Sequence, residues 1–195
     1  MNNHPHLRIF YLAGIKHSGK SKLGYGAMSV LARQGNCNFI DIDNLILNRI
    51  IPNYSTIRDF YRTEGKSRFM SEEYEALNHF LKSIDSSPSK SEPLLLLIST
   101  GGGACDNLKL VELMHATGTI IYLHVNEQAL FERILVDGIP PFLEGPDPRE
   151  IFHRLFEDRN AKYSNIADFM LQLSDSNTIE ENSAILAERL LRFVS

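Results

Sequence analysis

Cysteine is scarce in this chain of 195 residues, where only Cys37 and Cys105 occur. Two cysteines cannot staple a domain of this size, and no set of His and Cys residues surrounds them, so the sequence indicates neither a disulfide scaffold nor a zinc site. The first six residues are polar and lack an apolar h-region, which argues against a secretory signal. These absences predict a reduced, cytoplasmic protein.

Long apolar runs and an excess of charge of one sign are also missing. The longest apolar run, residues 94–98, is far short of the ~20 residues that span a bilayer. The 20 basic and 24 acidic side chains give a formal net charge of −4, whereas proteins that bind nucleic acids or membrane surfaces carry a basic excess. We therefore expect no nucleic-acid or membrane partner. Hydrophobic residues at 43% and charged residues at 23% are typical of a globular protein, here one domain over residues 1–195.

Short apolar runs alternate with amphipathic stretches along the chain. Strands are predicted over residues 8–13, 38–42, 94–99, 119–125 and 168–173, and helices over 21–33, 45–84, 108–115, 127–136, 149–163 and 179–193. Pro52 and Gly65 should end or kink the long helical stretch. Strands that are apolar along their whole length indicate a parallel sheet buried on both faces. The predicted fold class is therefore α/β, with a central parallel sheet flanked by helices.

The strongest motif directly follows the first predicted strand. Residues 14–21 read GIKHSGKS, a complete G-x-x-x-x-G-K-[ST] match that opens a predicted helix. Its glycines let backbone N–H groups point at phosphate oxygens, and the helix adds the positive end of its dipole. Lys20 is expected to reach the β- and γ-phosphates and to face solvent in the empty site, while Ser21 places its hydroxyl on Mg²⁺. The motif predicts a three-layer P-loop kinase or NTPase fold.

Two carboxylates, Asp41 and Asp43, stand at the C-terminal end of the second predicted strand. Ligands of open parallel sheets bind outside the carboxyl ends of the strands. One carboxylate would orient Mg²⁺ or its water shell, and the other would hold an acceptor hydroxyl and take its proton. Alternatively, one of them caps the following helix, as Asp43 could for residues 44–50.

Two further segments carry functional signals. Three consecutive glycines, residues 101–103, follow the most apolar strand, where the backbone could approach a ligand closely or take a positive φ. A flexible strand–helix turn is the alternative explanation of the triplet. Residues 137–148 are rich in Gly and Pro and join two helices, so we expect them to form a mobile lid.

Taken in order, these motifs resemble the shikimate kinase family over nearly the whole chain. The matches are the P-loop, FIDIDNLI for F-x-D-x-D, residues 57–77 for I-x-x-x-F…G-E-x-x-F-R-x-x-E, STGGGA for the glycine triplet, GTIIYLHVNEQALFERI, and residues 159–163 for R-x-P-L-Y. The resemblance implies phosphorylation of a hydroxyl of shikimate by ATP, giving shikimate 3-phosphate, with Mg²⁺ as cofactor. It also leads us to expect a small-molecule substrate and a monomer.

The resemblance implies a role for each matching residue. ATP binding would fall to Gly14, His17, Ser18, Gly19, Lys20, Ser21 and Lys22, with Arg133 near the adenine. Ser21 and Asp41 would hold Mg²⁺. Lys20 and Asp43 would be the catalytic residues, with Asp43 as the base. Shikimate would bind to Asp43, Gly102, Gly103 and Arg159, whose planar guanidinium suits the substrate carboxylate. Residues 44–84 would form the helical acceptor-binding segment.

Two arginines expected from the resemblance are absent. Met70 stands where a second carboxylate-binding arginine is expected, and Pro140 where an arginine of the lid is expected. Lys66, four residues before Met70, would share its helix face, where it could supply part of the missing charge or be only a solvated surface charge. Arg149 is the nearest candidate to turn toward ATP. Three interpretations remain open: a divergent shikimate kinase with replacement cations, a kinase of another small hydroxylated acid, and a nucleotide-binding protein with little or no activity.

Overall fold

The computed structural model describes residues 7–33, 35–51, 53–85, 94–138 and 143–194. Five strands, β1 (Leu7–Ala13), β2 (Asn36–Asp41), β3 (Leu94–Ser99), β4 (Thr119–His124) and β5 (Phe169–Gln172), form a parallel sheet in the order β2-β3-β1-β4-β5. The helices are α1 (Lys20–Leu31), α2 (Ile42–Ile50), α3 (Ile57–Asp85), α4 (Leu108–Thr117), α5 (Glu127–Asp137), α6 (Pro148–Ile166) and α7 (Ile179–Val194), with a 3₁₀ turn at Ala104–Asp106. The predicted α/β fold is confirmed.

The middle of the sheet forms the core. Residues 9–13 of β1 and residues 96–98 of β3 are each at most 5% exposed, because helices cover the sheet. All strands run in one direction, so the segments that follow β1, β2 and β3 emerge at the same edge. These segments are the P-loop, the two aspartates and the glycine triplet, and the topology alone therefore brings the three predicted motifs together.

Element boundaries differ from the prediction where β2 meets α2. The strand ends at Asp41 instead of residue 42, and Asp41 caps α2 by accepting a hydrogen bond from the backbone N–H of Asp43 at 3.0 Å. The alternative that one of the two aspartates caps this helix therefore holds for Asp41 and is wrong for Asp43, which lies in the first turn. An oxygen of Asp41 reaches the unpaired N–H groups at the start of the helix, which is the ordinary role of an N-cap.

The long predicted helix divides as expected. α2 ends at Ile50, and α3 is kinked at Gly65, whose backbone (φ 80°, ψ 174°) is not helical. Pro52, the lid residues 139–142 and with them Pro140 lie outside the described residues. Within the described ranges, no helix combines the length and the apolar composition that crossing a membrane requires.

Candidate active site

A pocket of about 970 Å³ opens at the carboxyl edge of the sheet. Most of the P-loop, both aspartates, the glycine triplet, Arg133 and Arg159 line it, together with residues of α3 and residues between 173 and 182. Among the predicted site residues only Gly14 does not line the pocket, because it is buried at the base of the P-loop. The structure thus brings residues from separate parts of the chain into one site.

The P-loop presents the start of α1 to the pocket. Gly19 precedes the helix with a left-handed backbone (φ 86°), and no side chain caps the first turn. The unpaired N–H groups of that turn are therefore available to an anion. His17 is also left-handed (φ 68°), the only residue other than glycine with a positive φ in the described part of the chain. Its carbonyl oxygen accepts a hydrogen bond from Arg133 at 3.1 Å.

Lys20 does not face solvent, contrary to the sequence-based expectation. It is only 8% exposed, and its Nζ donates hydrogen bonds to the carbonyl oxygens of Gly14 at 2.9 Å and Ile15 at 3.2 Å. A buried ammonium needs acceptors, and the loop that carries Lys20 supplies them. Burial lowers the pKa of Lys20 to about 8, although the charges of Asp43 and Asp41 act in the opposite direction.

Ser21 and Asp41, the two residues predicted to hold Mg²⁺, are in direct hydrogen-bond contact. The Ser21 hydroxyl donates to Asp41 Oδ2 at 2.5 Å and lies 3.3 Å from the hydroxyl of Ser99. The group offers hydroxyl and carboxylate oxygens beside the P-loop, which are the ligands that Mg²⁺ prefers in proteins. These residues therefore fit the ion that the family resemblance implies.

Asp43 is exposed in the open pocket, and the surrounding residues change the pKa of its carboxyl. The loss of surrounding water raises the pKa of its carboxyl, and the nearby charge of Asp41 raises it further. Lys20 and Lys16 act in the opposite direction. A carboxylate with a raised pKa is a better proton acceptor at neutral pH, so the environment of Asp43 suits a general base.

The glycine triplet makes room for two pocket side chains and for the backbone of the P-loop. A Cβ on Gly101 would lie 2.8 Å from Glu73 Oε1, and one on Gly103 would lie 3.3 Å from Arg159 Nη2. A Cβ on Gly102 would lie 2.8 Å from the backbone nitrogen of Lys16. None of the three has a positive φ. The triplet therefore allows close packing against other segments of the protein, and the close approach to a ligand that the sequence suggests stays a prediction.

Hydrogen bonds from two tyrosines fix the part of α6 that carries Arg159. The Tyr163 hydroxyl, four residues further along α6, donates to the carbonyl oxygen of Gly101 at 3.3 Å. Tyr122 of β4 donates to Asn160 at 2.9 Å. These contacts attach α6 to both the triplet and the sheet, so Arg159 lies beside Gly103, whereas Arg133 contacts the P-loop.

Lys66 lines the pocket, but its charge is already paired. Its ammonium donates to Asp106 Oδ2 at 3.2 Å, and Lys162 of α6 donates to Asp106 Oδ1 at 2.8 Å. The sequence analysis did not identify Asp106. Asp106 lies in the 3₁₀ turn that follows the glycine triplet. Its closeness to the triplet in the sequence was the only indication that it would line the site. Arg149, the other candidate replacement, lies 3.6 Å from Glu127 and over the ring of Phe131.

Glu73 is a second pocket residue that the sequence analysis did not single out. It is 2% exposed and accepts a hydrogen bond from the side-chain amide of Asn107 at 3.0 Å. Burial is the main cause that raises its pKa to about 7. Glu73 is the last acid of the G-E-x-x-F-R-x-x-E pattern, which was its signal in the sequence. It follows Met70, the position of the expected arginine, by three residues and so shares a helix face with it.

Comparison with known proteins agrees with this geometry. The family model described as shikimate kinase matches residues 17–193. The shikimate kinase of Xanthomonas campestris pv. campestris (strain 8004) is 30% identical over 190 residues, which cover 97% of this chain and 94% of that protein. Shikimate kinase from Bacteroides thetaiotaomicron has a TM-score of 0.72 at 26% identity, with 94% of this chain and 98% of that chain covered.

A solved structure of shikimate kinase from Acinetobacter baumannii in complex with shikimate has a TM-score of 0.73 at 21% identity, covering 96% of this chain and 94% of that chain. At that identity the likeness supports the fold alone. The family model and the Xanthomonas relative extend over nearly the whole chain. This protein therefore belongs to the shikimate kinase family.

Proposed function

We propose that this phosphotransferase moves the γ-phosphoryl group of ATP to a hydroxyl of shikimate, giving shikimate 3-phosphate and ADP. The observation that carries the proposal is a single pocket in which the P-loop, Asp43 and Arg159 converge. Membership of the shikimate kinase family supports the reaction, and the Xanthomonas relative, a shikimate kinase 30% identical to this chain, supports the substrate.

The P-loop holds the nucleotide in this proposal. The N–H groups at the start of α1 bind phosphate oxygens, and Lys20 exchanges its carbonyl partners for the β- and γ-phosphates. Arg133, which already contacts the P-loop at His17, lies on the adenine side. Ser21 and Asp41 would hold Mg²⁺, which neutralises phosphate charge when bound.

Asp43 activates the acceptor. It accepts the proton of the shikimate hydroxyl as the oxygen bonds to the γ-phosphorus, and the bond from that phosphorus to the bridging oxygen of ADP breaks. Arg159 pairs with the shikimate carboxylate, and the backbone of Gly102 and Gly103 lies beside the ring. Catalysis then depends on positioning and on charge neutralisation, as in other phosphoryl transfers.

A second acceptor remains a candidate because Met70 lines the pocket where a cation is expected from the family pattern. A hydrogen bond to a charged group contributes ~1.5–3 kcal/mol, so this pocket loses one such contribution to a carboxylate. The missing cation belongs to the family pattern for binding shikimate, so its absence makes a kinase of another small hydroxylated acid the second candidate. The cytoplasmic location, the monomeric state and the lid remain predictions.

A coupled assay of ADP release with shikimate, quinate and gluconate tests the proposal. We expect release to depend on shikimate and the product to gain the mass of one phosphoryl group. Arg159→Lys keeps the charge and loses the two-pronged geometry, so the KM for shikimate should rise about tenfold or more while the KM for ATP stays unchanged. Faster turnover with quinate or gluconate, or no acceptor-dependent release, would contradict the assignment.

A further inference from the structure

The basic side chains that line the pocket are Lys16, His17, Lys20, Lys22, Lys66, Arg133 and Arg159. Several of them already have polar partners. Lys20 binds carbonyl oxygens of the P-loop, Lys66 pairs with Asp106, and Arg133 binds the carbonyl of His17. Lys16, in contrast, makes no hydrogen bond or ion pair with any residue of the described ranges, and none of the roles proposed above uses it.

Lys16 lies where the P-loop touches the glycine triplet. A Cβ on Gly102 would be 2.8 Å from the nitrogen and 2.9 Å from the Cβ of Lys16. The backbone of Lys16 is thus held between the nucleotide loop and the acceptor loop, while its side chain is exposed along the pocket wall. This contact places Lys16 at the boundary between the two substrates.

The charge of Lys16 acts on residues of both proposed substrate sites. Lys16 lowers the pKa of Asp43, the proposed base, and also lowers the pKa of Lys20, the proposed phosphate ligand. Its ammonium therefore lies within electrostatic range of both groups. In the proposed function, the phosphoryl group moves from the phosphates bound by Lys20 to the hydroxyl held by Asp43.

Phosphoryl transfer needs positive charge at this point. Negative charge is spread over the three equatorial oxygens of the group in transit, and a cation fixed beside them stabilises the transition state. The sequence has Pro140 where the family pattern expects a cation in the lid. A lysine on the P-loop is held there by backbone packing and does not depend on movement of a lid.

Building on the proposed function, we propose that Lys16 is a further catalytic residue whose ammonium binds the transferred phosphoryl group. The acceptor oxygen forms its bond to phosphorus, the bond to the bridging oxygen of ADP breaks, and the proton passes to Asp43. Lys16 transfers no proton in this step and contributes charge alone.

Steady-state kinetics of Lys16→Met test the role. The methionine retains the length of the side chain and removes its charge, so kcat should fall about 100-fold. The KM values for ATP and shikimate should change less than about threefold, since the contact is made in the transition state. Lys16→Arg should keep kcat within about tenfold of the wild type. Lys109→Met, at an exposed position of α4 outside the pocket, is the matched control.

A binding experiment separates this role from the choice of acceptor. Calorimetry with Mg²⁺, ADP and aluminium fluoride, in which the fluoride stands in for the phosphoryl group, is run with and without shikimate. Lys16→Met should bind ADP as the wild type does and should bind the fluoride complex at least about tenfold more weakly.

Each outcome has a distinct meaning. If the wild type does not phosphorylate shikimate but Lys16→Met still binds the fluoride complex more weakly than the wild type, the acceptor assignment fails and the role of Lys16 stands. If the wild type phosphorylates shikimate and Lys16→Met retains kcat within about threefold, the role of Lys16 is overturned. Equal affinity of both proteins for the fluoride complex overturns it as well.

Discussion

Two neighbouring glutamates on α3 show how partners determine the cost of a buried charge. Glu72 is 5% exposed and is paired with Arg49 and, at 3.2 Å, with Arg68. Glu73 is 2% exposed, and within the described part of the chain its only hydrogen-bonding partner is Asn107. Ionised Glu73 therefore lacks the cation that Glu72 has, which agrees with the rise in its pKa to about 7.

Ionisation of Glu73 should make stability depend on pH. Its folded pKa of about 7 exceeds the ordinary 4.5, so the folded state binds the proton more tightly than the unfolded state. Stability should fall as the pH rises from about 4.5 through 7, by roughly 3 kcal/mol in total for this group. Glu73→Gln removes the ionisation, and urea unfolding should find the variant more stable than the wild type at pH 8 but not at pH 5.

Glu72→Gln is the matched control for that measurement. It removes a carboxylate that has two arginine partners, so it should lower stability at pH 8 by roughly 1–3 kcal/mol. An equal effect of Glu73→Gln at both pH values would show that the Glu73 carboxyl is not the titrating group.

At the scale of elements, the sequence predicted helices and strands better than it predicted the burial and the polar partners of individual side chains. The strand over residues 94–99 was predicted to the residue because its apolar run is bounded on both sides by polar or flexible residues. The kink in α3 followed from Gly65, whose φ of 80° suits glycine. The end of β2 was misplaced by one residue because Ile42 continues the apolar pattern into the first turn of α2.

The burial of Lys20 and the isolation of Glu73 could not be predicted in the same way. Both depend on which groups of distant segments surround the side chain: carbonyl oxygens for Lys20, and a methionine in place of an arginine near Glu73. Periodicity shows which face of an element is covered but not which polar atoms cover it. The motif identified the site, and its electrostatics required the tertiary structure.

The glycine triplet provides a prediction about the loop as an element. Gly102→Ala would place a Cβ 2.8 Å from a backbone nitrogen of the P-loop, whereas Gly103→Ala would place one 3.3 Å from the end of the Arg159 side chain. Backbone cannot easily move, but a side-chain tip can. Gly102→Ala should therefore lower stability by about 1–3 kcal/mol and weaken ADP binding, as measured by denaturant unfolding and calorimetry.

Gly103→Ala serves as the comparison for that variant. It should leave ADP binding unchanged and act mainly on the acceptor side, through Arg159. If Gly103→Ala weakened ADP binding as much as Gly102→Ala, the contact between Gly102 and Lys16 would not be what fixes the P-loop.

At the scale of the whole molecule, the pocket joins segments that are far apart in the sequence. Its walls come from the loop after β1, the starts of α1 and α2, the loop after β3, the helices α3, α5 and α6, and residues between the end of β5 and the start of α7. The parallel order β2-β3-β1-β4-β5 gathers these segments at one edge. A ligand that contacts several of them binds only the folded chain, so its binding free energy adds to the stability of the whole domain.

Nucleotide binding should therefore raise the melting temperature of the protein, and Lys20 should account for much of the increase. A ligand at 100 times its Kd adds ~2.7 kcal/mol, equivalent to roughly 5–10 °C for a domain of this size. Lys20→Met removes the buried ammonium that already lies among the P-loop carbonyls, so Mg²⁺ and ADP at the same concentration should give less than about a third of that shift. Lys109→Met, at an exposed position of α4, should keep the full shift in the same thermal assay. A full shift in Lys20→Met would mean that Lys20 stays with its carbonyl partners when nucleotide binds, and its role would then be to hold the loop in shape.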